Sequence, residues 1–207
     1  MKERPILMSA PMVRACLDGS KTQTRRVVKP GNLGGANLPS RQPTPNWNSV
    51  SYGPGIWSDD AGFSSRCPYG VPGDRLWVRE CWAYNPDFGQ NLNFVCYRAD
   101  PGHEYDGLRW RPSIHMPRKA CRIVLEVTGV RVERLQDISE ADARAEGVRQ
   151  MRDGSGCWVS REGPANLVTP WLTAREAYAD LWNVINGASA WDANPWVWVI
   201  EFKRVKP

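Results

Sequence analysis

The sequence predicts an α+β protein: a small β-barrel with short peripheral helices, interrupted by two long loop insertions at about residues 29–72 and 149–168. Three features predict it. Segments rich in β-branched and aromatic residues outnumber helical ones. Strands and helices do not alternate as they do in a doubly wound sheet. The two insertions are dense in Pro, Gly, Asn and Ser and almost without apolar periodicity. At 207 residues the chain holds one sizeable core and is read as a single domain spanning 1–207.

Each element has its own signal. Pro5 to Ser9 is a short extended piece. Pro11 suits a first helical position and Asp18-Gly19 a stop, so a two-turn helix lies between them with Met12, Cys16 and Leu17 on one face. Lys21 to Val28 is β-branched and alternating enough for a strand. The first insertion carries Gly34-Gly35, Pro43-Thr44-Pro45 and Gly53-Pro54-Gly55, and is expected to be a decorated surface loop or a lid, with Trp47, Tyr52 and Trp57 as anchors. After the turn at Pro72-Gly73-Asp74, Arg75 to Trp82 partly alternates as a half-buried strand, and Asn93 to Arg98 is another candidate.

The densest β-branched run belongs to a strand from Arg122 to about Glu133. Ser139 as N-cap, Glu140 and Asp142 in the first turn and Gly147 as C-cap define a short helix whose last residue is Glu146. Beyond the second insertion, Thr169-Pro170 is expected to open a helix that runs to Asn186-Gly187. Its Tyr178, Leu181, Trp182 and Ile185 recur at helical spacing and read as core. Pro195 to Val205 puts Trp196, Trp198, Ile200 and Phe202 on one face and Val197 and Val199 on the other, the pattern of a central strand buried on both sides.

Composition narrows the function. Apolar residues at 42% and charged residues at 24% exclude disorder along the whole chain. No apolar run approaches a membrane span and no signal-peptide pattern opens the chain, so the expected location is the cytoplasm. Cys16, Cys67, Cys81, Cys96, Cys121 and Cys157 form no C-x-x-C pair, and only His103 and His115 accompany them. No metal or organic cofactor is therefore expected, the thiols read as reduced fillers, and a Ser-His-Asp or Cys-His device lacks a placed imidazole. The phosphate-loop spacing G-x-x-x-x-G-K-[ST] is absent. A net charge of +5 favours encounters with polyanions, and the 11 tryptophans serve either as stacking faces for bases or as large core residues.

Gly19 to Arg26 concentrates Lys21, Arg25 and Arg26 with hydroxyl side chains where a helix gives way to a strand. Alone, such a cluster is a solvated basic face as readily as a site. Four blocks carry more. Leu17-x-Gly19-x-Lys21-Thr22-x-Thr24-x-Arg26, Gly73-Asp74-x-Leu76-x-Val78-Arg79, Ile138-Ser139-Glu140-x-x-Ala143-x-x-Glu146-Gly147 and Val199-Ile200-Glu201-Phe202, in this order and bracketing nearly the whole chain, resemble the ASCH family. That family occurs in phage and prophage proteins and its fold is related to the PUA RNA-binding barrel.

The resemblance implies a PUA-like barrel and, from a member that cleaves the amide of N4-acetylcytidine, a metal-independent amidohydrolase acting on a small N4-acylcytosine nucleoside. Its lysine and threonine fall on Lys21 and Thr24 and its glutamate on Glu146. On chemical grounds Thr24 is expected as nucleophile, Lys21 as proton acceptor and Glu146 as proton donor, with the choice of base between Lys21 and Glu146 open on the residues alone. A threonine hydroxyl is protonated at neutral pH and needs a base within hydrogen-bond reach. Residues three apart on one strand face opposite ways, so Lys21 must sit in the turn and curl back toward Thr24. A plain Lys–Glu ion pair with Thr24 binding water stays open on the residues alone. Backbone amides, or Arg26 on the Thr24 face, are expected at the oxyanion. Trp77, Arg79 and Glu80 are expected at the pocket wall, the aromatic ring stacking on the pyrimidine, against a competing role in core or surface ion pairs. The alternative function is a PUA-like binder of RNA or of a modified base, without catalysis, in which Lys21, Arg25 and Arg26 contact phosphates.

Overall fold

The computed structural model describes residues 1–29, 47–49, 56–59, 64–102, 107–160 and 169–205, with backbone alone for 47–49, 56–59 and 64–65. In chain order the elements are β1 (Glu3–Leu7), α1 (Ala10–Leu17), β2 (Gln23–Val27), β3 (Trp47–Ser49), β4 (Ile56–Asp59), β5 (Ser64–Arg66), β6 (Arg75–Arg79), β7 (Trp82–Tyr84), β8 (Val95–Tyr97), β9 (Val124–Arg134), α2 (Glu140–Ala145), β10 (Arg149–Gln150), β11 (Trp158–Val159), α3 (Ala174–Asn186) and β12 (Trp196–Val205). The protein is α+β, with a five-stranded mixed sheet of order β1-β6-β9-β12-β2 and three α-helices. Only the β1–β6 pair is parallel in that sheet.

No closed barrel is found among the described residues: β1 and β2 are the two ends of an open sheet. Pro5 in β1 has no N–H to offer a further neighbour, which suits an edge strand. The two ends nevertheless meet through a side chain. Arg26 of β2 donates from Nη2 to the Leu7 carbonyl of β1 at 2.9 Å.

β12 behaves as its alternation predicts. Trp196, Trp198, Ile200 and Phe202 join Ile6, Met12, Leu76 and Val78 in one core cluster, while Val197 and Val199 join Leu135, Ala143, Tyr178 and Trp182 in a second beneath α2 and α3. A bulge where β12 passes from Glu201 to Phe202 leaves Thr128 of β9 as the extra residue.

Four local expectations are corrected. The first insertion holds a three-stranded antiparallel sheet, β3-β4-β5, with β3 against β9. Its aromatic anchors Trp47, Tyr52 and Trp57 have side chains outside the described residues. The second insertion opens with the hairpin β10–β11, and residues 161–168 lie outside the description. The 75–82 strand breaks at Glu80-Cys81 into β6 and β7, because β7 turns away to pair with β8. Finally, α3 starts at Ala174 and not at Pro170. Thr173 accepts the Glu176 N–H at 3.1 Å while Glu176 accepts the Thr173 N–H at 3.1 Å, a reciprocal cap that satisfies two donors where Thr169-Pro170 offers none. All six cysteines are free, and no helix among the described residues is long and apolar enough to cross a membrane.

Candidate active site

Gly19, at φ +81°, lets the chain reverse after α1. The Lys21 N–H then bonds to the Ala15 carbonyl at 2.9 Å and the Thr22 N–H to the Ala145 carbonyl at 2.9 Å, which pins the turn against the end of α2. On the α2 side, Ser139 caps the helix by accepting the Asp142 N–H at 3.0 Å, Glu146 is the C-cap, and Gly147 at φ +95° takes the chain away. Two helix ends thus bring Lys21 to Glu146. Lys21 Nζ donates to Glu146 Oε2 at 2.8 Å and to the Glu146 carbonyl at 2.7 Å, with side-chain exposures of 0% and 2%.

Arg25 supplies a second cation to the same carboxylate, Nη1 to Glu146 Oε1 at 3.2 Å, and the Tyr178 hydroxyl approaches that oxygen at 3.4 Å. Arg25 is also held by Glu133 at 2.5 Å, Asp142 at 3.3 Å and Gln23 at 2.9 Å. Burial pulls the Arg25 guanidinium down, but Glu146 and Glu133 outweigh it and leave the guanidinium more firmly charged than usual. Burial, then the charge of Glu146, pushes the Tyr178 phenol well above its ordinary range, so Tyr178 acts as a donor. Burial also pushes Asp142 up, and Gln23, Arg131 and Arg25 together bring it below the usual carboxylate value.

A cavity of about 520 Å³ opens between the edge strands β1 and β2, with α3 along one side. That volume suits a small ligand. Glu146, Arg25, Arg26, Arg79 and Tyr178 line it, together with apolar groups. Tyr178, Leu181, Trp182 and Ile185, expected as core, all line the cavity; Tyr178 and Trp182 are buried, whereas Ile185 is 53% exposed. The helical stripe is wider than the second core can cover, and its far end faces the opening.

The expected Lys21–Thr24 hydrogen bond is not made. Lys21 curls instead to Glu146, whose carbonyl and carboxylate are two better acceptors than one neutral hydroxyl. Thr24 pairs with Ile200 on β12, is fully buried, and its Oγ1 has no hydrogen-bond partner. Neither Lys21 nor Thr24 lines the cavity.

Of the expected wall residues, Arg26 and Arg79 line the cavity and Trp77 and Glu80 do not. Trp77 lies beneath Arg79, whose guanidinium is 5.2 Å from the ring centre. Glu80 is 1% exposed and takes a bidentate pair from Arg122 at 2.9 and 2.9 Å, with Arg122 also on Asp100 at 2.6 Å. Gly73-Asp74 is structural as well. Asp74 accepts the Lys2 N–H at 2.7 Å, which ties the start of β6 to the start of β1. Sequence reasoning missed Arg25 and Tyr178 as partners of Glu146. Arg25 was legible only as charge, and Tyr178 only as an apolar helical position.

Among the described residues no three or more His, Cys, Asp or Glu side chains are placed to hold a metal ion. No protein-family model matches the chain, and comparisons with curated proteins and with solved structures find no match.

Proposed function

We propose that the protein is an amidohydrolase that removes the acyl group from N4-acylcytosine nucleosides such as N4-acetylcytidine, on an ASCH, PUA-like framework whose barrel is left open at the cavity. The observation that carries this reading is the buried Lys21–Glu146 contact at 2.8 Å, with the Glu146 carboxylate forming part of a ligand-sized cavity. A proton shared across that contact gives the pair two forms: ammonium with carboxylate, or amine with carboxylic acid.

The second form starts the reaction. Thr24 Oγ attacks the acyl carbon and passes its proton to the Lys21 amine. The tetrahedral centre then expels the cytosine amine, which takes its proton from the Glu146 acid, and the pair is left as ammonium and carboxylate. Water attacks the Thr24 ester, giving a proton to Glu146, while Lys21 returns one to Thr24 Oγ, and the starting form is restored. Arg26 and Arg79 at the cavity wall are suited to the developing oxyanion or to the substrate's polar groups. For attack, Thr24 must gain access to the cavity and Lys21 must exchange the Glu146 carbonyl for the Thr24 hydroxyl. The exchange gives up a better acceptor, and the Thr24 hydroxyl, having no other partner, offsets part of that cost.

The binding-module reading is favoured by a different observation: Thr24 lies off the cavity lining while Arg26 lines it; Lys21 and Arg25, also expected on phosphates, are instead buried and held by carboxylates. Spectrophotometry of N4-acetylcytidine separates the two. Turnover in the wild type, lost in Thr24→Val with the fold intact by circular dichroism, supports the hydrolase. No turnover, with salt-dependent retention of RNA, supports the binder.

A further inference from the structure

We infer that the cavity takes a phosphorylated ligand, a nucleoside monophosphate, with the phosphomonoester held between Arg26 and Arg79; this rests on the nucleoside reading above. Arg26 comes from the end strand β2 and Arg79 from β6, the neighbour of the opposite end strand β1, and both approach Leu7. Arg26 Nη2 donates to the Leu7 carbonyl, and Leu7 is the register partner of Arg79 in the parallel β1–β6 pair.

Their bonding sets them apart from the other guanidiniums nearby. Arg26 is held by the carbonyls of Arg25 at 3.1 Å and Leu7 at 2.9 Å. Arg79 is held by the carbonyls of Met116 at 3.1 Å and Ile114. Neither has a carboxylate at ion-pair distance among the described residues, whereas Arg25, Arg122 and Arg131 each have two or more. Carbonyl anchors fix a guanidinium in place without neutralising it, and each arginine keeps further N–H donors for a ligand.

The only carboxylate lining the cavity, among the described residues, is Glu146, and Lys21 and Arg25 already match its charge. Two cations at the wall therefore lack a counter-charge. The apolar side chains of Leu7, Val27 and Ile185, 40–53% exposed, surround them and thin out the water that would screen them. A phosphomonoester dianion matches two guanidiniums in charge and in bidentate geometry, better than a singly charged phosphodiester. The volume of about 520 Å³ accommodates one nucleotide.

Calorimetric titration of the full chain with cytidine, cytidine 5′-monophosphate and a short oligocytidine without terminal phosphate tests this, with inorganic phosphate as competitor. The monophosphate is expected to bind about tenfold or more tightly than cytidine, with a preference that weakens as salt rises. Arg79→Gln and Arg26→Gln remove the preference, and Arg79→Lys keeps part of it. Because Arg26 also bridges the sheet ends, circular dichroism accompanies each variant, and Arg79→Gln suffices alone if Arg26→Gln unfolds. Equal affinities for nucleoside and nucleotide, a preference indifferent to Arg79, tighter binding of the oligonucleotide, or no binding of any of the three overturns the inference. Hydrolysis of N4-acetylcytidine and of its 5′-monophosphate is measured alongside. Phosphate preference without turnover removes the hydrolase reading alone, and turnover without phosphate preference removes this one alone.

Discussion

Glu80 and Glu146 are both buried, both lie against arginine and both have a tyrosine close to the pair, yet they serve different ends. Glu80 meets one guanidinium in a bidentate pair, with Asp100 on the other side of Arg122 and the Arg122 guanidinium 3.9 Å from the Tyr97 ring centre. The Nε, Nη1 and Nη2 of Arg122 are each placed on a carboxylate, and Glu80 does not line the cavity that Glu146 lines. Glu146 meets two cations and a phenol and lines a cavity, and three residues after its partner Lys21 comes a threonine hydroxyl with no partner. A matched pair fixes structure, whereas a carboxylate at an opening, in a site with an unused polar group, retains bonding capacity that a ligand takes up.

The sharpest way to break this contrast is Glu146→Gln. It keeps the shape and one acceptor oxygen for Lys21 or Arg25 but removes the acid, and turnover of N4-acetylcytidine should fall by about 10² to 10⁴. Loss of less than about tenfold would place Glu146 with Glu80 as a structural residue. The converse change, Glu80→Ala, leaves Arg122 with Asp100 alone and should cost about 2 kcal/mol in urea denaturation. Turnover per folded molecule should stay within about twofold.

Thr24→Val comes next and runs against habit. Removing a buried, unpartnered hydroxyl should raise stability by about 1 kcal/mol while abolishing turnover, a gain and a loss that appear together only at a functional group. Destabilisation would show that Thr24 Oγ1 has a structural partner after all.

The pH dependence of stability separates Glu80 from Asp142, a member of the Arg25 cluster. Burial pushes the Glu80 carboxyl above its ordinary 4.5, against the pull of Arg122, so its contribution is present below pH 4.5 and is lost as pH rises through the folded value. Asp142, below its ordinary 3.8 despite burial, contributes above pH 3.8 and loses that contribution as pH falls. Glu80→Gln and Asp142→Asn should therefore change the slope of stability against pH in opposite senses, read from urea midpoints at several pH values. The smallest effect is expected from Tyr178→Phe. Its contact with Glu146 is long at 3.4 Å, and its loss should cost under about 1 kcal/mol and severalfold in turnover.

The sequence carried the parts of this protein that depend on near neighbours. The alternation in 196–205 predicted two core faces on β12, and both are present. Ser139 and Gly147 bounded α2, and Gly19 turned the chain after α1. Where a signal was present but outranked, the prediction slipped. Thr173-x-x-Glu176 is a capping box in plain sight, displaced by the commoner Thr-Pro cue four residues earlier. The strands inside the first insertion carry no apolar period long enough to be read.

By itself, the sequence determined the ends of α2, the two faces of β12 and the presence of Lys21, Thr24 and Glu146, because capping, alternation and residue identity are local properties. Only the tertiary structure decided that Lys21 spends its amine on Glu146 and leaves Thr24 unpartnered, that Arg25 and Tyr178 join that carboxylate, and that Glu80 does not. Those outcomes are competitions between acceptors more than 30 residues apart, and such a competition is settled by distance and burial, which no stretch of sequence contains.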